Sequence, residues 1–411
     1  MKKFASIKAY SFLHYSLILP IAVLVGIFER YGNQFYVVEG AWPMILVFVV
    51  AYLVSILYLV SSPRTAQKSI FARSIGVLIT AYVFSILVLA LFRFHFSLGF
   101  VAIYFSITAC WVSYLTIDQY KKISTIKFGV VKVGNWKAIE SLDLQIVSLD
   151  NPERDEDYDV LVIDRQVDFD DRWTLFITSK ALEGIQILSL NELFEFDQQR
   201  ISLEHFVEEQ LSTSGAMNYY TPIKRTVDFI VGLIAVLILA IPVICFVFLI
   251  KLTSTGPGIY RQKRIGRHGK EFLLYKLRTM YADAELTGPM FSIDSDPRIT
   301  KLGKILRKTR IDEWPQFINV LKGEMSVVGP RPERPAWVSQ FKESIPYYEL
   351  RHMVRPGITG WAQIRQGYAS GRLESLRKLE YDLYYIKHVG VVFDVAILLE
   401  TVKVLFRAFK E

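Results

Sequence analysis

Residues Arg307–Glu333 read R-K-T-R-I-D-E-W-P-Q-F-I-N-V-L-K-G-E-M-S-V-V-G-P-R-P-E. Two adjacent carboxylates, Asp312 and Glu313, stand there among Arg307, Lys308, Arg310, Lys322 and Arg331. Adjacent acids repel, which tends to raise one pKa of the pair. The surrounding cations oppose that and leave the acids able to act as a nucleophile or as ligands for a hard cation. A bare Asp-Glu pair is an ordinary charged helix face. What separates this one from that reading is the longer pattern around it. Pro315, just after the pair, suits a first helical turn, whose N–H groups favour anions.

Working outward, Lys276 and Arg278 follow a short apolar run, and two cations at i and i+2 of an extended strand share a face. That arrangement suits a phosphate or diphosphate. Asp294, Asp296 and Arg298 lie in a polar loop before a helix expected over Lys301–Thr309. Asp294-Ser295-Asp296 has the form of a metal-binding D-x-D motif, but no Rossmann-like strand end precedes it.

The apolar share of 52% and the positive mean hydropathy point to membrane segments. The formal charge of +8 is unevenly spread: residues 124–215 hold 8 Lys+Arg against 19 Asp+Glu, and 252–411 hold 27 against 17. A basic C-terminal region beside a bilayer suits anionic headgroups and phosphorylated substrates. No nucleic-acid-binding module is present, so nucleic acid is not an expected partner. Cys110 and Cys245 lie in apolar runs and read as small buried hydrophobes; the histidines form no zinc spacing.

Four segments have spanning length, about Ser11–Phe28, Trp42–Val60, Ile75–Leu91 and Leu98–Ile117. Lys2, Lys3 and Lys8 precede the first; Arg64, Lys68 and Arg73 separate the second from the third; Lys121, Lys122 and Lys127 follow the fourth. The positive-inside rule therefore puts both ends of this bundle in the cytoplasm. Residues 1–123 are read as a four-helix transmembrane bundle serving as scaffold or homodimer contact, since nothing polar in the spans suggests transport.

Residues 124–215 read as a cytoplasmic α/β domain, with strands expected at Phe128–Val133, Asp159–Ile163 and Trp173–Ile177. Acidic, turn-rich stretches such as Asp150–Tyr158 separate them. The third domain, 216–411, opens with an apolar run, Phe229–Ile250, flanked by Lys224-Arg225 and Lys251. At roughly 33 Å it would span, but a crossing would export the basic domain, and both flanks are basic. Pro242 removes a backbone donor inside the run and can bend the helix back, so a re-entrant helix over about 226–250 is expected.

The central stretch resembles the catalytic core of the bacterial sugar transferases, the monotopic polyprenyl-phosphate phosphoglycosyl transferases. That core carries a basic segment, an Asp-Glu dyad, then Pro-Gln, Asn-Val-Leu-Lys-Gly, Met-Ser and Gly-Pro-Arg-Pro. Further blocks of the family match at Gly256–Met280, Arg355–Ile364 and Tyr381–His388, so the likeness covers roughly 220–411. Trp314 replaces the usual Leu and Glu324 the usual Asp. The resemblance implies an integral membrane helical bundle, a Rossmann-like α/β middle domain, and an α-rich (α+β) catalytic domain with a proline-kinked re-entrant helix. The middle domain is degenerate here, because F-G-V-V-K-V-G-N-W-K lacks G-x-G-x-x-G and Trp136 and Lys137 would crowd a pyrophosphate.

By the same resemblance, the enzyme would transfer a sugar-1-phosphate from a UDP-sugar to undecaprenyl phosphate at the bacterial inner membrane. UMP would leave through a phosphosugar–aspartate intermediate on Asp312, in a first step of O-antigen, capsule or exopolysaccharide synthesis. Glu313 would hold Mg²⁺, and Lys276, Arg278, Arg307 and Arg331 would bind phosphate; guanidinium forks match phosphate geometry. Two other readings are a membrane-anchored regulator or scaffold of polysaccharide assembly, and a lipid glycosyltransferase that releases UDP. The sugar itself is not encoded in any argued residue.

Overall fold

The computed structural model describes residues 46–53, 55–56, several positions between 78 and 90, 98–124, most of 126–203, 216–281, 284, 296–366 and 371–408. The expected span Ser11–Phe28, the ends of the next two spans, and Asp294 lie outside the described residues. The chain divides into two compact units, Met1–Gln199 and Arg200–Glu411.

In the first unit the fourth expected span is α1, Leu98–Ser124, with apolar helix over Val101–Ile117. Phe48, Leu78, Tyr82 and Tyr104 pack together, and Tyr82 shares a 2.8 Å hydrogen bond with Thr108. Described parts of the second, third and fourth spans thus share one core. Four parallel strands follow: β1 (Lys127–Val131), β2 (Gln145–Leu149), β3 (Val160–Ile163) and β4 (Gln186–Ser189), in the order β2-β1-β3-β4. β3 is buried throughout, as a parallel strand covered on both faces must be.

The expected strand Trp173–Ile177 is instead part of α2, Asp171–Leu182. The Asp170 side chain accepts from the Trp173 N–H, and this N-cap starts a helix that a purely apolar count reads as a strand. After β4, Ser189 and Glu192 form a capping box that opens α3, Leu190–Gln198. Strand order reverses between β1 and β3, where doubly wound sheets bind ligands. There a four-residue 3₁₀ turn, Trp136–Ile139, follows the β1 loop. A Cβ on Gly134 would lie 2.4 Å from the Asp164 carboxylate, so an approaching phosphate would meet a negative charge.

The second unit opens with α4, Ala216–Thr253, which stays helical through Pro222 and Pro242. Among the described residues it alone is long and apolar enough to cross a membrane. A seam on α4 that includes Asp228, Gly232, Val243, Val247 and Ile250 is wholly or partly buried, while residues such as Leu237 and Ile241 are exposed. Cys110 and Cys245 both stand on exposed faces of apolar helices, which corrects their reading as buried residues; helices of this kind leave apolar faces uncovered by the chain.

Next comes an antiparallel hairpin, β5 (Ile259–Ile265) and β6 (Glu271–Leu277). It is followed by α5 (Lys301–Lys308), a 3₁₀ turn at Ile311–Glu313, α6 (Gln316–Lys322) and β7 (Ser326–Val328). The chain ends with α7 (Pro335–Ser344), a 3₁₀ segment Tyr348–Met353, β8 (Gly357–Thr359), α8 (Trp361–Arg365), α9 (Arg372–His388) and α10 (Val391–Ala408). The core of this unit gathers Val328, Phe341, Tyr348, Trp361, Leu383 and Ile386.

Candidate active site

Local geometry first fixes the dyad. Thr300 caps α5 through the Gly303 N–H, and Gly303 sits so close to the Thr279 carbonyl that a Cβ would lie 2.0 Å from it. α5 ends at Lys308 with Thr309 as its C-cap, and Arg310 then takes a left-handed conformation (φ 59°). A non-glycine residue there is strained and needs support from its surroundings. The turn it creates presents Asp312 and Glu313 in succession, both only 7% exposed. Trp314, at the variant position, packs edge-on against Phe246 of α4 and links the dyad turn to that helix.

α6 is bolted to the hairpin by Asn319. Its Oδ1 accepts from the Tyr275 N–H at 3.1 Å, and its Nδ2 donates to the Leu273 carbonyl and to Glu324, each at 2.7 Å. One amide thus satisfies backbone groups on both sides of Leu274. Beyond α6, the backbone of Gly329 passes against Gly357, where a Cβ would meet main chain at 2.1 Å. This close crossing delivers the Gly-Pro-Arg-Pro segment to the site.

Arg331 is then gripped by its own main chain. Arg351 donates to the Arg331 carbonyl at 3.0 Å, Arg264 to the Pro332 carbonyl at 2.8 Å, and the Ile265 N–H to the Glu333 carbonyl at 3.0 Å. The Glu333 carboxylate pairs with Lys378, and Arg351 pairs with the buried Asp382 at 2.8 Å. Sequence reasoning missed this supporting network; Arg351, four residues before the Arg355–Ile364 block, was the signal that could have pointed to it.

Three cations converge on Glu313 Oε1: Arg331 Nη2 at 2.9 Å, Lys276 Nζ at 3.1 Å and Arg310 Nη1 at 3.6 Å. Burial alone would push the Glu313 carboxyl up. Arg331, Lys276 and Arg310 reverse that and hold it well below the usual carboxylate range. Asp312 behaves differently: burial pushes it up, with the Glu313 charge adding to the rise and Lys276 opposing it. Burial also pushes the Lys276 ammonium down, against the pull of Glu313. Environments that drive neighbouring carboxylates apart mark them for different roles.

The other two expected phosphate ligands sit elsewhere. Arg278 donates to the carbonyls of Thr255 and Ser254 and to the Ser254 hydroxyl, at 2.7–2.8 Å, and so closes the C-terminal end of α4. Arg307 donates Nε to Thr279 Oγ1 at 2.8 Å and lies within electrostatic range of Asp296. Asp296 is itself committed to Arg298, through a 2.7 Å ion pair and two hydrogen bonds. Lys276 and Arg331 are therefore the phosphate candidates that reach the dyad, with Arg310 joining them.

Among the described residues, no group of three or more His, Cys, Asp or Glu side chains is placed to hold a metal by itself. Mg²⁺ commonly takes only one or two carboxylates and completes its shell with substrate phosphates and water. Glu313 fits such a role through Oε2, because its hydrogen bonds and ion pairs with the described residues all go to Oε1.

Comparison with known proteins now decides the family. The profile of the bacterial sugar transferase family matches residues 219–408. The UDP-N-acetylgalactosamine-undecaprenyl-phosphate N-acetylgalactosaminephosphotransferase of Aeromonas hydrophila is 36% identical over 74% of this chain and 72% of its own length. The chain belongs to the bacterial sugar transferase family. The UDP-glucose:undecaprenyl-phosphate glucose-1-phosphate transferase of Escherichia coli K12 is 38% identical over 53% of this chain and 48% of its own length. A putative undecaprenyl-phosphate N-acetylgalactosaminyl 1-phosphate transferase of Bacillus subtilis 168 is 44% identical over 40% of this chain and 87% of its own. The small B. subtilis relative aligns over a stretch about the length of a catalytic domain, and the family profile coincides with the unit that carries the dyad.

Proposed function

We propose that the protein transfers a sugar-1-phosphate from a UDP-sugar to undecaprenyl phosphate and releases UMP. The observation that carries this reading is the set of three cations drawn onto Glu313 beside a second carboxylate, Asp312, that accepts no hydrogen bond from the described residues. Asp312 attacks the sugar-linked phosphorus; an aspartyl O–P bond forms, and the phosphoanhydride O–P bond to UMP breaks. An oxygen of undecaprenyl phosphate then attacks the same phosphorus, and the aspartyl O–P bond breaks to restore Asp312. Lys276, Arg310 and Arg331 offset the charge of the diphosphate as it approaches the anionic pair. Glu313 would hold Mg²⁺, which supplies further neutralisation of phosphate charge when bound.

The same reading sets the topology. Arg225 and Ile250 are about 37 Å apart along a straight helix, yet both pack on the catalytic unit: Arg225 on Val320 and Leu321, Ile250 with Leu277 and Leu306. A helix that crossed the bilayer would carry one of these ends away from that unit. That packing supports a reading in which α4 enters and leaves by one membrane face, with Pro242 easing the return, and the dyad lies on the cytoplasmic side of a multi-pass inner-membrane protein. The product would open assembly of a surface polysaccharide.

Purified protein with a panel of UDP-sugars, undecaprenyl phosphate and Mg²⁺ tests the reading. UMP release and a sugar-phosphate adduct on Asp312, found by mass spectrometry before acceptor is added, are expected. Asp312→Asn abolishes both, and EDTA suppresses turnover. UDP release, or full turnover by Asp312→Asn, would refute the mechanism.

A further inference from the structure

Away from the dyad, three guanidinium groups gather near the foot of α4. Arg225 donates to the carbonyls of Val320 and Leu321 at 2.6 and 2.8 Å, and Arg355 donates Nε to the Gly323 carbonyl at 2.9 Å. Arg267, at the tip of the β5–β6 hairpin, donates Nε to the Met353 carbonyl at 3.2 Å. Each fork has five N–H donors, so these bonds use only part of it. All three side chains are partly exposed. Among the described residues, no carboxylate lies within ion-pair distance of any of them.

The charge around them does not balance. Lys224, Arg225, Arg267 and Arg355 are faced by two carboxylates, Asp228 and Asp394. Asp394 is taken by Lys224 at 2.5 Å, and Asp228 accepts from the Val327 N–H. The carbonyl end of α6 adds at most about half a negative charge. Arg355 feels the excess: burial, then Arg267 and Arg225, weaken its hold on its proton. A cavity of about 30 Å³ is lined in part by Lys224, Asp228, Arg267 and Arg355, with Arg225 outside its lining.

We propose that Arg225, Arg267 and Arg355 bind a phosphate-bearing anion at a site separate from the dyad, supplied by the headgroup of an anionic phospholipid. The separation follows from the hairpin. Lys276 marks the dyad end of β6, Glu271 lies about 17 Å further along at ordinary strand rise, and Arg267 is beyond it. The lipid source follows from α4, where Val227, Phe229 and Ile230 are exposed directly after Arg225. Cations at such a boundary sit at headgroup level.

The test uses the full chain in neutral detergent, titrated with dioleoyl-phosphatidylglycerol, dioleoyl-phosphatidylcholine or inorganic phosphate while Tm is followed. Phosphatidylglycerol is expected to raise Tm and phosphatidylcholine to leave it unchanged. Arg267→Gln, and separately Arg355→Gln, should each weaken the phosphatidylglycerol response about fivefold. Lys263→Gln, an exposed cation on the same hairpin, should not change it. Arg267 stands at the hairpin tip, where its hydrogen bond goes to the Met353 carbonyl, so its variant remains informative where Arg355→Gln perturbs folding. A response to inorganic phosphate that Arg267→Gln abolishes, with none to phosphatidylglycerol, would overturn the lipid assignment. Equal stabilisation by the two lipids, or a phosphatidylglycerol response undiminished in the variants, would overturn the site.

Discussion

Arg331 Nη2 stands 2.9 Å from Glu313 Oε1, while the carbonyl of the same arginine accepts from Arg351. One residue is thus fixed at both ends, its main chain by a buried charge network and its side chain by the dyad. The arrangement places a guanidinium fork beside two adjacent acids, where the proposed reaction would bring a diphosphate.

Removing that fork should weaken catalysis more than folding. Arg331→Met is expected to lower kcat/KM for the UDP-sugar about a hundredfold, the range seen when one electrostatic donor is lost from an active site. Arg331→Lys should recover part of the loss, because the charge returns without the fork. A variant of either kind with wild-type kinetics would remove Arg331 from the site.

The network behind Arg331 should be separable from it. Arg351→Met alone leaves Asp382 charged and buried, at a cost of about 3–5 kcal/mol. The double variant Arg351→Met/Asp382→Leu removes both charges and should regain most of that stability. It still lacks the clamp on the Arg331 carbonyl, so its kcat/KM should stay low while its Tm recovers. Parallel recovery of both would make the network structural only.

Asn319→Ala should be a stability variant. It strips partners from the Tyr275 N–H and the Leu273 carbonyl, and an unsatisfied buried polar group costs about 1–3 kcal/mol. A fall in Tm of about 2–12 °C is expected for a unit of this size. An unchanged Tm would show that another group takes over the bolt.

His352 should make the protein acid-sensitive. Burial first, and then the Arg351 charge, hold its folded pKa down to about 4, against an ordinary value of 6.5. The unfolded chain therefore binds the proton more readily between these values. The stability tied to neutral His352 is complete above pH 6.5 and drains away as pH falls towards 4. Glu349 and Glu333 pull the other way without cancelling the shift. His352→Gln should flatten the Tm-against-pH curve in that window; an identical slope would assign the acid sensitivity elsewhere.

The sequence by itself determined the elements whose signals are local. Ser189 with Glu192 opens α3, unbroken apolarity makes α4, and Phe128–Val133 and Asp159–Ile163 become β1 and β3. The ordered blocks around Asp312 likewise place the chain in its family, because they lie close together along the chain. Trp173–Ile177 went the other way: its apolar run suits either state, and the Asp170 cap chose helix. Tertiary structure alone decided the rest. Lys276 and Arg331 meet at Glu313 because Asn319 docks α6 on β6 and Gly329 crosses Gly357, whereas Arg278 turns instead to the carbonyls ending α4. Ion pairs between distant residues depend on how whole elements pack, and charge spacing along a strand carries no record of that packing.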